Sequence, residues 1–149
     1  MTFSVRAATI KDLDTLVSFT LAEAVEAEGI EISAETVSRG ISAGLQDPAL
    51  ARYWVLEDHE NAVVGSISVV REWSDWHAGY YWWIQSMFIK PGYRGQGLMR
   101  QLVAAVAETA AAEAALELRL YVHEENERAI RAYRRADFLD SPYRIMRRK

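Results

Sequence analysis

The 149-residue sequence contains no cysteine, only 3 prolines, 3 histidines and 8 glycines. Lack of cysteine excludes disulfide frameworks, thiolate nucleophiles and Cys-ligated metal sites. His59, His77 and His123 have no ligand spacing relative to one another, so no metal is expected. No apolar run is long enough to cross a bilayer, and the first ten residues lack a basic stretch leading into an apolar one. The expectations are a cytoplasmic protein, no membrane partner, and one domain spanning 1–149. The net charge of −4 disfavours nucleic acid as a partner.

Charge is unevenly placed. Residues 1–60 hold eleven acids against four bases, and residues 119–149 hold nine bases against five acids. Apolar residues make up 50% and charged residues 26%, the balance of an ordinary globular domain.

Phe3–Ala7 alternates as a half-buried strand, and Thr9 with Asp12 forms a capping-box pattern. Leu13, Leu16, Val17, Leu21, Ala24 and Val25 recur at helical spacing, with Gly29 placed to end that helix. Ser33 is positioned to cap a second helix running through Val37 and Ile41 toward Gly44. Tyr53–Leu56 and Ala62–Val70 read as a hairpin, Trp73–Gly79 as a turn, and Tyr80–Ile89 as a strand. A helix from Gly97 to about Ala114, a strand over Leu116–Val122, a helix capped by Asn126 and a closing strand over Tyr143–Met146 complete the chain. The order β-α-α-β-β-β-α-β-α-β belongs to an α/β fold. Tyr80–Ile89 and Leu116–Val122, joined through a helix, are parallel neighbours, and the other pairings are antiparallel.

A strand entering Tyr93-Arg94-Gly95-Gln96-Gly97-Leu98-Met99 and then a helix gathers free backbone N–H groups and the positive end of a helix dipole at one point. Gly95 and Gly97 let an anion approach the backbone, and Arg94 adds positive charge. Leu98-Met99 after Gly97 is not the Lys-Ser/Thr of a P-loop, and Arg100 stands where a dinucleotide turn needs a third glycine.

Arg94–Met99 resembles the Arg/Gln-x-x-Gly-x-Gly/Ala signature of the GNAT superfamily of N-acetyltransferases, departing from it at Met99. Asn126–Tyr133 is similar to that family's Asn-x-x-Ala-x-x-x-Tyr segment, with Asp137-Phe138 in place of its Gly-Phe pair. The resemblance implies the GNAT fold, a mixed and mostly antiparallel sheet with a splayed parallel strand pair flanked by helices. It also implies acetyl-CoA as co-substrate, lodged between Met87–Ile89 and Leu118–Val122. The cofactor contacts it implies are Met87, Phe88, Ile89, Arg94, Gly95, Gln96, Gly97, Leu98, Met99, Asn126 and Tyr133. The reaction to expect is acetyl transfer to a primary amine of a small molecule or peptide, by direct attack in a ternary complex. Tyr133 is then the general acid toward the leaving thiolate, and the Ile89 N–H the oxyanion donor. The other reading is a non-catalytic acyl-CoA-binding sensor or scaffold. By resemblance a homodimer is the assembly to expect.

The general base is not identified. Glu26, Glu28, Glu31, Asp75, His77, and a water reached through Gln85 or Ser86 are all candidates. For the acceptor, Glu26 and Glu28 at the end of the first helix, Gln85, and Trp76 and Trp83 of an aromatic cluster that also includes Trp73, Tyr80, Tyr81 and Trp82 are the candidate contacts. Strand alternation sends Trp82 and Trp83 to opposite faces. Arg128, Arg131, Arg134 and Arg135 are candidates for the 3′-phosphate of CoA.

Overall fold

The computed structural model describes residues 2–149. The first strand, β1 (Ser4–Ala7), runs into a single 3₁₀ turn over Ile10–Asp12 whose N-cap is Thr9. The predicted capping box is formed. Asp12 accepts the Thr9 N–H at 2.8 Å and holds Arg6 through two bonds of 2.9 and 3.0 Å. That guanidinium keeps the buried Asp12 carboxyl below its ordinary range, as does the Thr9 amide. Helix α1 (Leu13–Glu28) follows and ends at Gly29 in the left-handed conformation, φ 65°. Helix α2 (Ala34–Gln46) is capped by the Ser33 side chain, as its sequence implies.

Strands β2 (Arg52–Glu57), β3 (Val63–Ser74) and β4 (Gly79–Ile89), helix α3 (Leu98–Ala112), strand β5 (Glu117–Leu120) and helix α4 (Glu127–Arg135) complete the fold. The sheet order is β1-β2-β3-β4-β5, with antiparallel neighbours except β4 and β5, which run parallel. The mixed sheet and its parallel pair are therefore as expected.

Each face of the sheet carries its own core. Leu56, Ile67, Val69, Trp82 and Ile84 pack with Leu98, Leu102, Val103 and Val106 of α3. Removal of each large aliphatic side chain from water contributes roughly 1.5–3 kcal/mol. On the opposite face Val55 packs with Leu16 of α1 and Ile41 of α2. Helix α1 is tied to β4 by Phe19 and Phe88, whose ring centroids lie 5.0 Å apart.

Two elements differ from the sequence reading. Residues 139–149 contain no strand, and Tyr143, Ile145 and Met146 are exposed. Ile145 and Met146 are consecutive apolar residues, so the segment lacks the alternation that a half-buried strand needs, and Pro142 has no N–H to offer a ladder. Conversely, Trp73 and Ser74 belong to β3 rather than to a turn, pairing with Tyr80 and Gly79. Trp73 and Tyr80 form an edge-to-face cross-strand pair at 5.1 Å, which stabilises the extended hairpin.

Candidate active site

The site begins at an irregularity in β4. Ser86 pairs with Ser68 and Ile84 with Val69, leaving Gln85 as an extra residue, a β-bulge. The bulge shifts the alternation, so that Ile84, Met87 and Ile89 all face the α3 core. It also marks where β4 and β5 part. Tyr81–Ile84 pair with Glu117–Leu120, and beyond Ile84 no strand among the described residues pairs with β4 on that side. Leu118 and Leu120 are thus in the paired half of the strands, and only Tyr121 and Val122 border the opening.

Lys90 N–H donates to Val64 O of β3 at 2.9 Å. Successive N–H groups alternate in direction, so those of Ile89 and Met87 point to the side that β5 has left. Two cavities meet there. The larger, about 510 Å³, runs from Met87, Phe88 and Ile89 past Gly95, Gly97, Leu98 and Met99 to Arg100, Arg128 and Arg135. The smaller, about 290 Å³, lies between the end of α1 with Ile30 and Ile32 on one side and Tyr121, Val122 and His123 on the other, over Ile84, Gln85 and Ser86. Glu23, Ala27, Met87, Asn126, Ala129 and Tyr133 line both.

The glycine turn gives the larger cavity a wall of exposed backbone. Gly95 and Gly97 have φ of 81° and 76°, and a Cβ at either would meet nothing within 4 Å. The backbone therefore faces open space in a conformation that L-residues rarely adopt. Gly97 is the N-cap of α3 and no side chain caps that helix, so its first N–H groups remain available to phosphate oxygens. The turn is fixed from behind, because Tyr93 O–H donates to Asp58 at 3.2 Å. Asp58 also accepts the Glu60 and Ala62 N–H groups. The Ala62 and Glu60 amides and the Tyr93 phenol hold the Asp58 carboxyl below its usual range.

The acetyltransferase (GNAT) family model matches residues 16–138. This chain belongs to that family. A solved structure from Clostridium difficile 630, described as a possible acetyltransferase, is 30% identical to this GNAT chain; the match covers 100% of this chain and 98% of that one, with TM-score 0.92. An aminoglycoside N-acetyltransferase in complex with CoA shares the fold at 14% identity and TM-score 0.82, covering 99% of this chain and 95% of its own. A ribosomal-protein-alanine N-acetyltransferase from Brucella melitensis biovar Abortus 2308 does so at 14% identity and TM-score 0.79, covering 99% of both chains. No curated protein matches the chain in sequence.

The residues expected from sequence are distributed as follows in this GNAT chain. Met87, Phe88, Ile89, Arg94, Gly95, Gly97, Leu98, Met99, Asn126 and Tyr133 all line the larger cavity. Gln96 does not; its side chain is exposed and donates to Tyr93 O at 3.2 Å. Arg94 lines the cavity but is engaged, donating to Ile89 O at 2.8 Å and pairing with Glu26 at 2.8 Å. Glu26 therefore lines the larger cavity, whereas Glu28 and Gln85 line the smaller one. Trp76 is 86% exposed at the tip of the β3–β4 hairpin, far along the strand from the bulge. Trp83 lines neither cavity; it stacks on Tyr121 at 4.5 Å and donates to Glu72. Asp75 and His77 lie in the hairpin turn and Glu31 is exposed, and none of the three lines either cavity. Among the four arginines, Arg128 and Arg135 line the larger cavity, while Arg131 lies near Glu127 and Arg134 pairs with Asp140.

Asn126 caps α4 by accepting the Ala129 N–H. The far end of α4 closes through Asp137, whose φ is 69°. Asp137 N–H bonds to Arg134 O and Phe138 N–H to Tyr133 O, at 3.1 and 3.0 Å, the paired bonds of a Schellman ending. Asp137 thus takes the left-handed position that a glycine usually fills. Phe138 packs edge-on against Tyr133 at 5.6 Å, which sets the direction of the Tyr133 ring. Burial, and then the charge of Glu23, push the Tyr133 phenol up to about 12, so it keeps its proton at neutral pH.

Glu23 is absent from the sequence-derived set. Its carboxylate accepts the Met87 N–H at 2.8 Å. Burial, with a smaller contribution from the nearby Glu26 and Glu28, raises it to about 7 against the pull of the Met87 amide and the Ser86 hydroxyl. One signal was available. Leu16, Phe19, Glu23 and Ala27 fall on one stripe of α1, where a carboxylate interrupts an otherwise apolar face.

Proposed function

We propose that this single domain is an N-acetyltransferase that moves an acetyl group from acetyl-CoA to a primary amine, of a small molecule or peptide, within a ternary complex. The observation that carries the reading is the meeting of two cavities at the strand opening. One is lined by cation side chains and glycine backbone that suit a pyrophosphate, and the other is open to a second molecule. Acetyl-CoA, as co-substrate, supplies an activated acyl group, so the chain needs no nucleophile of its own.

The chain's groups divide the remaining work. Gly95, Gly97 and the free amides of Leu98 and Met99 hold phosphate oxygens. On the open edge of β4 the Met87 carbonyl and the Ile89 N–H offer backbone partners to an extended arm, while Glu23 holds the Met87 N–H and Arg94 the Ile89 carbonyl. Ile89 N–H, directed into the opening, is the donor proposed for the developing oxyanion. Tyr133, protonated at neutral pH, delivers its proton to the leaving sulfur. The motif departures at Met99 and Asp137 leave the site open, since Met99 lines the cavity and Asp137 adopts the conformation its position requires.

The test is release of CoA thiol across a panel of primary amines, with acetyl-CoA binding measured by calorimetry. Amine-dependent release supports the transferase. Tight acetyl-CoA binding without release for any amine supports the sensor reading instead.

A further inference from the structure

Glu23 stands where the two cavities join, on the opposite side of the opening from β5, with its carboxylate on the Met87 N–H. An ionised carboxylate has about four lone-pair positions. The Met87 amide and the Ser86 hydroxyl use two of them, leaving room for an ammonium arriving from the smaller cavity. No other carboxylate among the described residues lines both cavities.

We propose that Glu23 is the general base, taking a proton from the acceptor ammonium as its nitrogen attacks. This rests on the transferase reading. The ammonium gives one proton to the Glu23 carboxylate, and the freed electron pair forms the N–C bond to the thioester carbonyl carbon. The carbonyl π electrons move to oxygen and return as the C–S bond breaks, its electron pair leaving on sulfur. Tyr133 protonates that sulfur. The nitrogen loses its second proton to solvent, and the Glu23 proton returns to water and Tyr133 is reprotonated, so the chain ends as it began.

The groups around Glu23 are Glu26 and Glu28 on its own helix, Ser86 and the Met87 amide on β4, and Tyr133 on α4. His123 lines the same smaller cavity. A base that ionises near pH 7, acting on an ammonium with a pKa near ~10.4, produces a bell-shaped kcat/KM profile with limbs near those two values.

The test compares wild type with Glu23→Gln, which keeps an oxygen for the Met87 amide. The variant is expected to lose about 10²–10³-fold in kcat/KM at neutral pH. Its lower limb near 7 disappears, and its rate rises with the free amine toward ~10.4 instead. A second reading uses no turnover: ¹³C NMR of labelled glutamate side chains in the free protein. It should show one carboxyl titrating near 7, absent in Glu23→Gln. Wild-type transfer with an unchanged profile in the variant overturns the assignment, as does a Glu23 carboxyl titrating in the ordinary range. Failure of wild type to acetylate any amine overturns the transferase reading, and the base role with it.

Discussion

Glu23→Gln should make the protein more stable at alkaline pH, and the size of the effect follows from the site. The carboxyl titrates near 4.5 unfolded and about 7 folded. The folded protein therefore holds a proton that the unfolded chain has released across this interval, and stability falls as pH rises through it. The difference is about 2.5 units, from 7 less 4.5. At about 1.4 kcal/mol per unit the ceiling is about 3.5 kcal/mol, lowered by the water that reaches a half-buried carboxylate. Glutamine remains neutral and avoids the penalty. Urea unfolding at about pH 8.5 should show the variant ahead by roughly 1–3 kcal/mol, and the gap should close at about pH 4. A variant no more stable than wild type at the higher pH, or a gap of the same size at both, would refute a raised Glu23 carboxyl as the cause.

Tyr133→Phe should lower kcat by about 10–100-fold while acetyl-CoA affinity, read by calorimetry, stays the same; an unchanged kcat removes the phenol from proton transfer. Gly97→Ala should weaken acetyl-CoA binding about tenfold or more and cost about 1–2 kcal/mol in a urea melt, because alanine is strained at φ 76°; unaltered affinity would mean that phosphate does not approach this backbone. Asp137→Gly should raise stability by roughly 0.5–1 kcal/mol, since φ 69° suits glycine better than aspartate. A loss of stability would show that the Asp137 side chain contributes more than its backbone strain costs.

The parts of this molecule legible in its sequence are those fixed by near neighbours. The Thr9–Asp12 box, Gly29 after α1, the Ser33 and Asn126 caps and the glycine turn each depend on residues a few positions apart, and each forms as expected. Boundaries set across the sheet were harder to read. Trp73 joins β3 because Tyr80 lies opposite it, and Tyr143–Met146 remains unpaired although its composition favours strand. The same limit applied to the site. A glutamate on a helix ordinarily faces water, and only the bulge at Gln85, which turns the Met87 amide toward α1, makes Glu23 a half-buried partner. Conversely, Trp76 and Trp83 drew attention by composition, but the long hairpin carries one away from the opening and Tyr121 and Glu72 occupy the other.

The most direct measurement of the central claim is mass spectrometry of primary amines incubated with the protein and acetyl-CoA carrying a ¹³C-labelled acetyl group. The account predicts at least one amine that gains the labelled acetyl group on nitrogen, at a rate proportional to enzyme and reduced in Tyr133→Phe. Saturable acetyl-CoA binding with no labelled amine above the enzyme-free rate would contradict it.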